Sequence, residues 1–260
     1  MIRLGCILLL QFGIFNASAQ GEQFIVFDAT SDQYIVSQIS AEQLVFTKPY
    51  LIKNWEFPPQ EIFCQQNNSH FSGMLAIGNF INNEQFPASA TVKIVSFRGD
   101  TALDRCSGML VGNKYVLTAA HCVLKDADAW LDIKVFVPDL YVKPGFDRGQ
   151  DSKFGKIKVL KTYLYKSYFQ GKSKKDIALL ELEDSVGEKT GWVGLGFEEE
   201  KQKILNTRFV NFSYPMDASR MNYSQGYNGD TMYLKVGFPD LVSNDSVSYT
   251  HLTLPTNREV

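Results

Sequence analysis

The stretch from Cys106 to Cys122 constrains the fold more tightly than any other part of the chain. It runs Cys106-Ser107-Gly108-Met109-Leu110-Val111, then Gly112-Asn113, then Tyr115 to Thr118 and Ala119-Ala120-His121-Cys122. Two runs of β-forming residues flank a Gly-Asn turn, which is the pattern of an antiparallel hairpin. A hairpin folds the second run back along the first and so brings Cys106 and Cys122 together. A bridge between them would close a loop of 15 intervening residues, worth about 3 kcal/mol in the chain-entropy account. It would also fix the turn that carries His121. A catalytic imidazole must sit within hydrogen-bond reach of its partner, and small displacements are costly. The other reading of His121, taken alone, is a core histidine beside a structural cysteine.

The remaining segments agree with a β-rich chain. Thr91 to Phe97, Leu131 to Val137, Lys156 to Tyr163, Ile177 to Glu183, Arg208 to Phe212 and Thr231 to Val236 carry the β-branched and aromatic enrichment of strands. Gly, Asn, Asp and Pro punctuate the gaps, as in Lys143 to Gly149. Long helical periodicity is absent. Many short strands with irregular loops predict an all-β antiparallel barrel or sandwich rather than an α/β fold. At 260 residues, 45% of them hydrophobic, the chain can bury a core as one large domain or two small ones. Lys+Arg 26 against Asp+Glu 28 gives no basis for nucleic-acid binding.

Both ends read differently from the middle. Residues 1–19 have the form of a signal peptide: Arg3, an apolar run from Leu4 to Phe15, and Ala17-Ser18-Ala19. That run is too short for a stable bilayer anchor. The chain is therefore expected to be secreted, or periplasmic if bacterial, with no membrane anchor and in a space where disulfides persist. Residues 20–76 are polar and irregular, with Phe57-Pro58-Pro59 and Cys64-Gln65-Gln66-Asn67-Asn68, and read as a pro-segment or N-terminal extension. No Lys or Arg lies between Lys53 and Ile77, which argues against cleavage after a basic residue just before Ile77. Residues 248–260 depart from the strand pattern, resemble a translated adapter and read as a non-native tail. That sets His251 aside.

The motifs carry a resemblance. Cys106-Ser107-Gly108, the strand that follows and Leu117-Thr118-Ala119-Ala120-His121-Cys122 resemble the histidine region of trypsin/chymotrypsin-family serine proteases. Lys175-Asp176-Ile177-Ala178-Leu179-Leu180-Glu181-Leu182 is similar to that family's aspartate motif. The resemblance covers about residues 77–247. It implies a trypsin-like double antiparallel β-barrel and a Ser-His-Asp triad, with His121 as general base, Asp176 as its orienter and a Cys106–Cys122 bridge closing the histidine hairpin. His121 and Asp176 stand 55 residues apart, slightly long for the family, which implies an insertion between them. Asp126, Asp128 and Asp132 are nearer, but none opens an apolar strand. Lys172, Lys174 and Lys175 read as a solvated loop.

The nucleophile is the missing part. In the family, Gly-Asp/Asn-Ser-Gly lets flanking glycines aim two backbone N–H groups at the developing oxyanion. No Gly-x-Ser-Gly occurs in the 260 residues. Gly229-Asp230-Thr231-Met232 comes nearest but has Thr for Ser and Met for the second Gly, while Ser219, Ser224, Ser243 and Ser246 lack the glycine context. Phe212-Ser213-Tyr214-Pro215 and Tyr223-Ser224-Gln225-Gly226 resemble the strand and turn ahead of the serine loop in the glutamyl-endopeptidase-like branch, with Ser213 in place of Gly. The expectation is a second barrel without its last strands and a serine lying past Tyr249. The resemblance further implies a secreted serine endopeptidase acting on protein or peptide substrates with no metal or organic cofactor. The 260-residue chain is expected to be inactive on its own. The alternative is a non-catalytic, protease-like domain that binds a partner through its loops. The presence of both His121 and Asp176 favours the enzyme, since a binding module needs no paired base and acid. A metal site has less support, because His70, Cys64 and His121 lack ligand spacing. Cys64 has no assigned partner, and oligomeric state is not readable from the sequence.

Overall fold

The computed structural model describes residues 23–38, 74–99, 101–128, 133–172, 175–196, 209–216 and 229–237, with short pieces at 8–9, 202, 205–206, 227, 241–242 and 247–248. The signal segment (apart from residues 8–9), Cys64, His70, the serines at 219, 224, 243 and 246, and His251 lie outside the described residues. Numbered along the chain, the strands used below are β1 (Gln23–Asp28), β2 (Gln33–Gln38), β3 (Leu75–Ala76), β4 (Thr91–Arg98), β5 (Thr101–Leu110), β6 (Tyr115–Thr118), β7 (Leu124–Asp128), β8 (Ile133–Phe136), β9 (Leu140–Pro144), β10 (Ile157–Tyr165), β11 (Ala178–Leu182), β12 (Phe209–Ser213) and β13 (Tyr233–Gly237).

Six of these strands close an antiparallel barrel in the order β9-β4-β5-β6-β11-β10. The ring shuts where Tyr141 and Val142 of β9 pair with Lys158 and Ile157 of β10. Alternation along the strands supplies the core. β10 buries Ile157, Val159 and Leu164, and β11 buries Ala178, Leu180 and Leu182, as period-2 side-chain geometry requires. β4 is buried on both faces. Val92 and Ile94 join the barrel core, while Lys93 turns outward and is only 4% exposed against Asp230 and the Phe146 ring.

Where a second barrel lacking its last strands was expected, the described residues give a three-stranded antiparallel sheet, β12-β13-β3. Ile77, Phe146, Phe212, Tyr214, Met232 and Leu234 form its separate apolar cluster. Polar ties join it to the barrel: Tyr214 donates its backbone N–H to Ser107 Oγ at 2.8 Å, and Met232 donates to Asp147 Oδ1 at 2.9 Å.

Several strands differ from expectation, among them β9, β1 and β2. β9 lies between the strands read from the sequence, with Pro138 before it and Pro144 at its end, and Asp139 at its entry has φ 51°. Leu140, Val142 and Pro144 are nevertheless buried at the seam of the barrel. Residues 23–38, read as part of an irregular extension, form the hairpin β1–β2. Asp28 makes its turn by accepting the Thr30 N–H at 2.8 Å, an Asx turn. β1 pairs with β10 from Lys161↔Asp28 to Tyr165↔Phe24. Phe27 stacks on Phe136 with ring centroids 4.5 Å apart, so the hairpin is part of the barrel's core. Phe27→Ala should therefore destabilise the chain by about 3–5 kcal/mol, measured as a shift in the urea midpoint. A change within about 0.5 kcal/mol would mean the hairpin is only appended.

Candidate active site

The histidine hairpin is built as its sequence demands. β5 and β6 pair antiparallel with Met109↔Leu117 and Leu110↔Val116. A bulge in β5 leaves Arg105 without a partner opposite β4, between Cys106↔Ile94 and Asp104↔Val95, and such bulges re-aim the side chains beside them. Gly108 is required by packing: a Cβ there would lie 2.7 Å from Val116 Cγ1 and 3.1 Å from Val92 Cγ2. After β6 the chain turns into a short 3-10 helix, Ala120–Val123. Cys122, on that helix, is disulfide-bonded to Cys106, with Cα atoms 5.8 Å apart.

Asp176 approaches from the other side. It lies two residues before β11, and β11 pairs with β6 through Ala178↔Thr118 and Leu179↔Leu117. Adjacent strands of one barrel thus hold the acid and the histidine. Asp176 Oδ1 accepts the His121 backbone N–H at 2.8 Å, and Asp176 Oδ2 lies 2.6 Å from His121 Nδ1. The side chain of Tyr168, from the segment between β10 and Asp176, adds a further hydrogen bond to the carboxylate.

These contacts set the charge state. Burial pushes the Asp176 carboxyl upward, but hydrogen bonding from the His121 ring, its charge, its backbone N–H and Tyr168 together outweigh that and hold it below its ordinary value of 3.8. Asp176 is therefore ionised at neutral pH and accepts only, which makes Nδ1 the donor in the contact and leaves Nε2 as the ring nitrogen turned away from the acid. Nε2 faces the disulfide, 3.6 Å from Cys122 Sγ and 3.9 Å from Cys106 Sγ. Cys106, His121 and Cys122 have the donor types of a metal site, but bonded sulfurs are not thiolates and carry no charge for a cation. The side chains of His121 and Asp176 are 16% and 29% exposed, partly open to a reactant.

All four residues singled out from the sequence, Cys106, His121, Cys122 and Asp176, meet in this one place. The nearer acid Asp126 does not: it pairs with Lys134 at 3.5 Å. Gly229-Asp230-Thr231-Met232 is structural, since Asp230 holds Lys93 and Met232 is fully buried. Tyr168, on the short helix Lys166–Phe169, was not foreseen, because no motif marks it.

A family model described as Trypsin matches residues 78–209. The chain is 25% identical over 136 residues to the glutamyl endopeptidase of Bacillus licheniformis, an alignment spanning 52% of this chain and 39% of that protein. The chain thus matches well under half the length of that relative. A solved structure of a Glu endopeptidase in complex with MPD superposes over 68% of this chain and 76% of its own, with TM-score 0.48 and 16% identity.

The low carboxyl value has a testable sign. Asp176 titrates lower in the folded chain than in the unfolded one, so its stabilisation is complete above the unfolded value and is lost as pH falls through the folded value. Asp176→Asn should cost about 1.5–3 kcal/mol at neutral pH. The difference from the parent should shrink below about pH 4, read from urea midpoints at a series of pH values. A difference independent of pH would contradict this assignment.

Proposed function

The chain belongs to the trypsin family of serine proteases, and from that premise we propose that it carries the base and acid of a secreted serine endopeptidase. The observation that carries this reading is the two-point grip of Asp176 on His121, one oxygen on the backbone N–H and one on Nδ1. That grip fixes the ring's orientation and tautomer, so Nε2 is the atom that takes a proton from an attacking serine hydroxyl and returns it to the leaving amine. The carboxylate stabilises the imidazolium that forms between those events. Attack would break the peptide bond, release the amine-side peptide and leave an acyl-enzyme, which one water would then hydrolyse to free the second peptide. The Cys106–Cys122 bond serves to hold the 3-10 turn that presents the ring.

The nucleophile and its oxyanion donors are supplied, in this reading, by sequence other than these 260 residues, which contain no Gly-x-Ser-Gly. The chain alone should neither react with a fluorophosphonate probe nor cleave peptides. A longer product of the same gene that includes a Gly-x-Ser-Gly should do both, tested on a peptide panel that includes glutamyl sites. In that longer product His121→Ala should lower kcat by roughly 10⁶-fold and Asp176→Asn by roughly 10⁴-fold. The missing motif is also what favours the second reading, a protease-like domain that binds a partner through its loops. A longer gene product without the motif would decide for it.

A further inference from the structure

Three donor atoms converge on the side of the His121 ring away from Asp176. Nε2 is 3.6 Å from Cys122 Sγ and 3.9 Å from Cys106 Sγ, and the three side chains offer donors that all lie within 4.8 Å of one another. While the sulfurs are bonded to each other they cannot ligate. Reduction would turn them into thiols able to ionise. A tetrahedral zinc centre, with Zn–S about 2.3 Å and Zn–N about 2.0–2.1 Å, sets sulfur and nitrogen donors about 3.6 Å apart and two sulfurs about 3.8 Å apart. The nitrogen-to-sulfur separations are already near that value. Parting the sulfurs takes side-chain rotation at Cys106 and Cys122, whose Cα atoms are 5.8 Å apart.

The far side of the ring is arranged as in a metal-binding histidine. Nδ1 is held by Asp176 Oδ2 at 2.6 Å, and a carboxylate in that position fixes the tautomer and strengthens the other nitrogen as a ligand. We propose that, once the Cys106–Cys122 bond is reduced, Cys106 Sγ, Cys122 Sγ and His121 Nε2 form a three-ligand site for a thiophilic divalent cation such as Zn2+, with the fourth position open to solvent. The disulfide and the metal exclude each other, because each needs both sulfurs. A bound ion also occupies Nε2; that this silences a general base rests on the proposed function, whereas the binding itself does not.

The chemistry balances with a phosphine reductant and one water. The S–S bond breaks, the two sulfurs gain two electrons and two protons as thiols, and the phosphine leaves as its oxide. Metal binding then releases the two thiol protons.

The test uses the full chain with C6S and C64S, so that Cys106 and Cys122 are the sole source of thiolate, and Co2+ as a visible stand-in for Zn2+. After phosphine reduction, Co2+ should give a thiolate-to-metal charge-transfer band and tetrahedral d–d bands that saturate at one ion per chain and disappear when Zn2+ is added. The oxidised chain should give neither. His121→Ala should shift the d–d bands as the nitrogen ligand is lost, and Asp176→Asn should weaken binding by about 10–100-fold with the bands retained. If reduction unfolds the chain, Co2+ should restore the far-UV β signal together with the bands, since metal and folding are then linked. The proposal is overturned if the reduced chain shows no band, if bands appear without recovery of an unfolded chain, or if neither variant alters them. None of these measurements depends on peptide cleavage.

Discussion

Strand β10 is the element on which the rest of the molecule depends. Its first residues pair with β9 and shut the barrel, its middle pairs with β11, and its last five residues also take the hairpin strand β1. A strand that bonds to neighbours on both edges is fixed in register, and fixing it fixes β11 as well. β11 in turn sets where Asp176 begins and pairs with β6, the strand that leads to His121. The spacing of 2.6 Å between acid and imidazole thus follows from the pairing of two neighbouring barrel strands. Two side chains that are 55 residues apart in sequence need no local scaffold of their own.

Much of this was legible because the determinants are local. Cys106, Gly108, the Gly112-Asn113 turn, His121 and Cys122 sit within one hairpin, and Asp176 stands directly before an alternating apolar strand. The strands of the barrel were visible wherever β-branched residues ran uninterrupted. β9 was not, because Pro138 and Pro144 bound it, and its pairing with β4 and β10 outweighs those signals. The hairpin at residues 23–38 was obscured by the polar stretch in which it lies. Tyr168 acts on an acid eight positions away across a loop, a distance at which neither strand nor helix periodicity gives any cue.

The polar residues between barrel and second sheet explain another part of the sequence. Lys93 is buried, and burying a charge is costly unless it is paired. Asp230 at 2.7 Å and the Phe146 ring at 4.5 Å provide that partner and surface. Gly229-Asp230 therefore has a place in the fold that accounts for its composition without any role in chemistry. Ser107 does similar work from inside the histidine hairpin, since its hydroxyl accepts from Tyr214 and its carbonyl accepts from Thr118 Oγ1 at 2.9 Å. On β12, by contrast, Asn211 Nδ2 and Ser213 Oγ are buried with no partner among the described residues, the costly condition for a polar atom.

The pairing of β3 with β13 bears on how the chain assembles. Tyr233 lies opposite Ala76, across a loop that spans the entire barrel. Forming the barrel first shortens the free part of that loop, but closure entropy varies only with the logarithm of length, so the saving is about 1 kcal/mol. Burying a large apolar side chain such as Ile77 or Leu234 is worth about 1.5–3 kcal/mol. The contact surface therefore weighs more in this pairing than the length of chain between its strands. Lys93 and Ser107, which receive the second sheet, both stand on barrel strands. The barrel strands thus carry the polar anchors on which the second sheet rests.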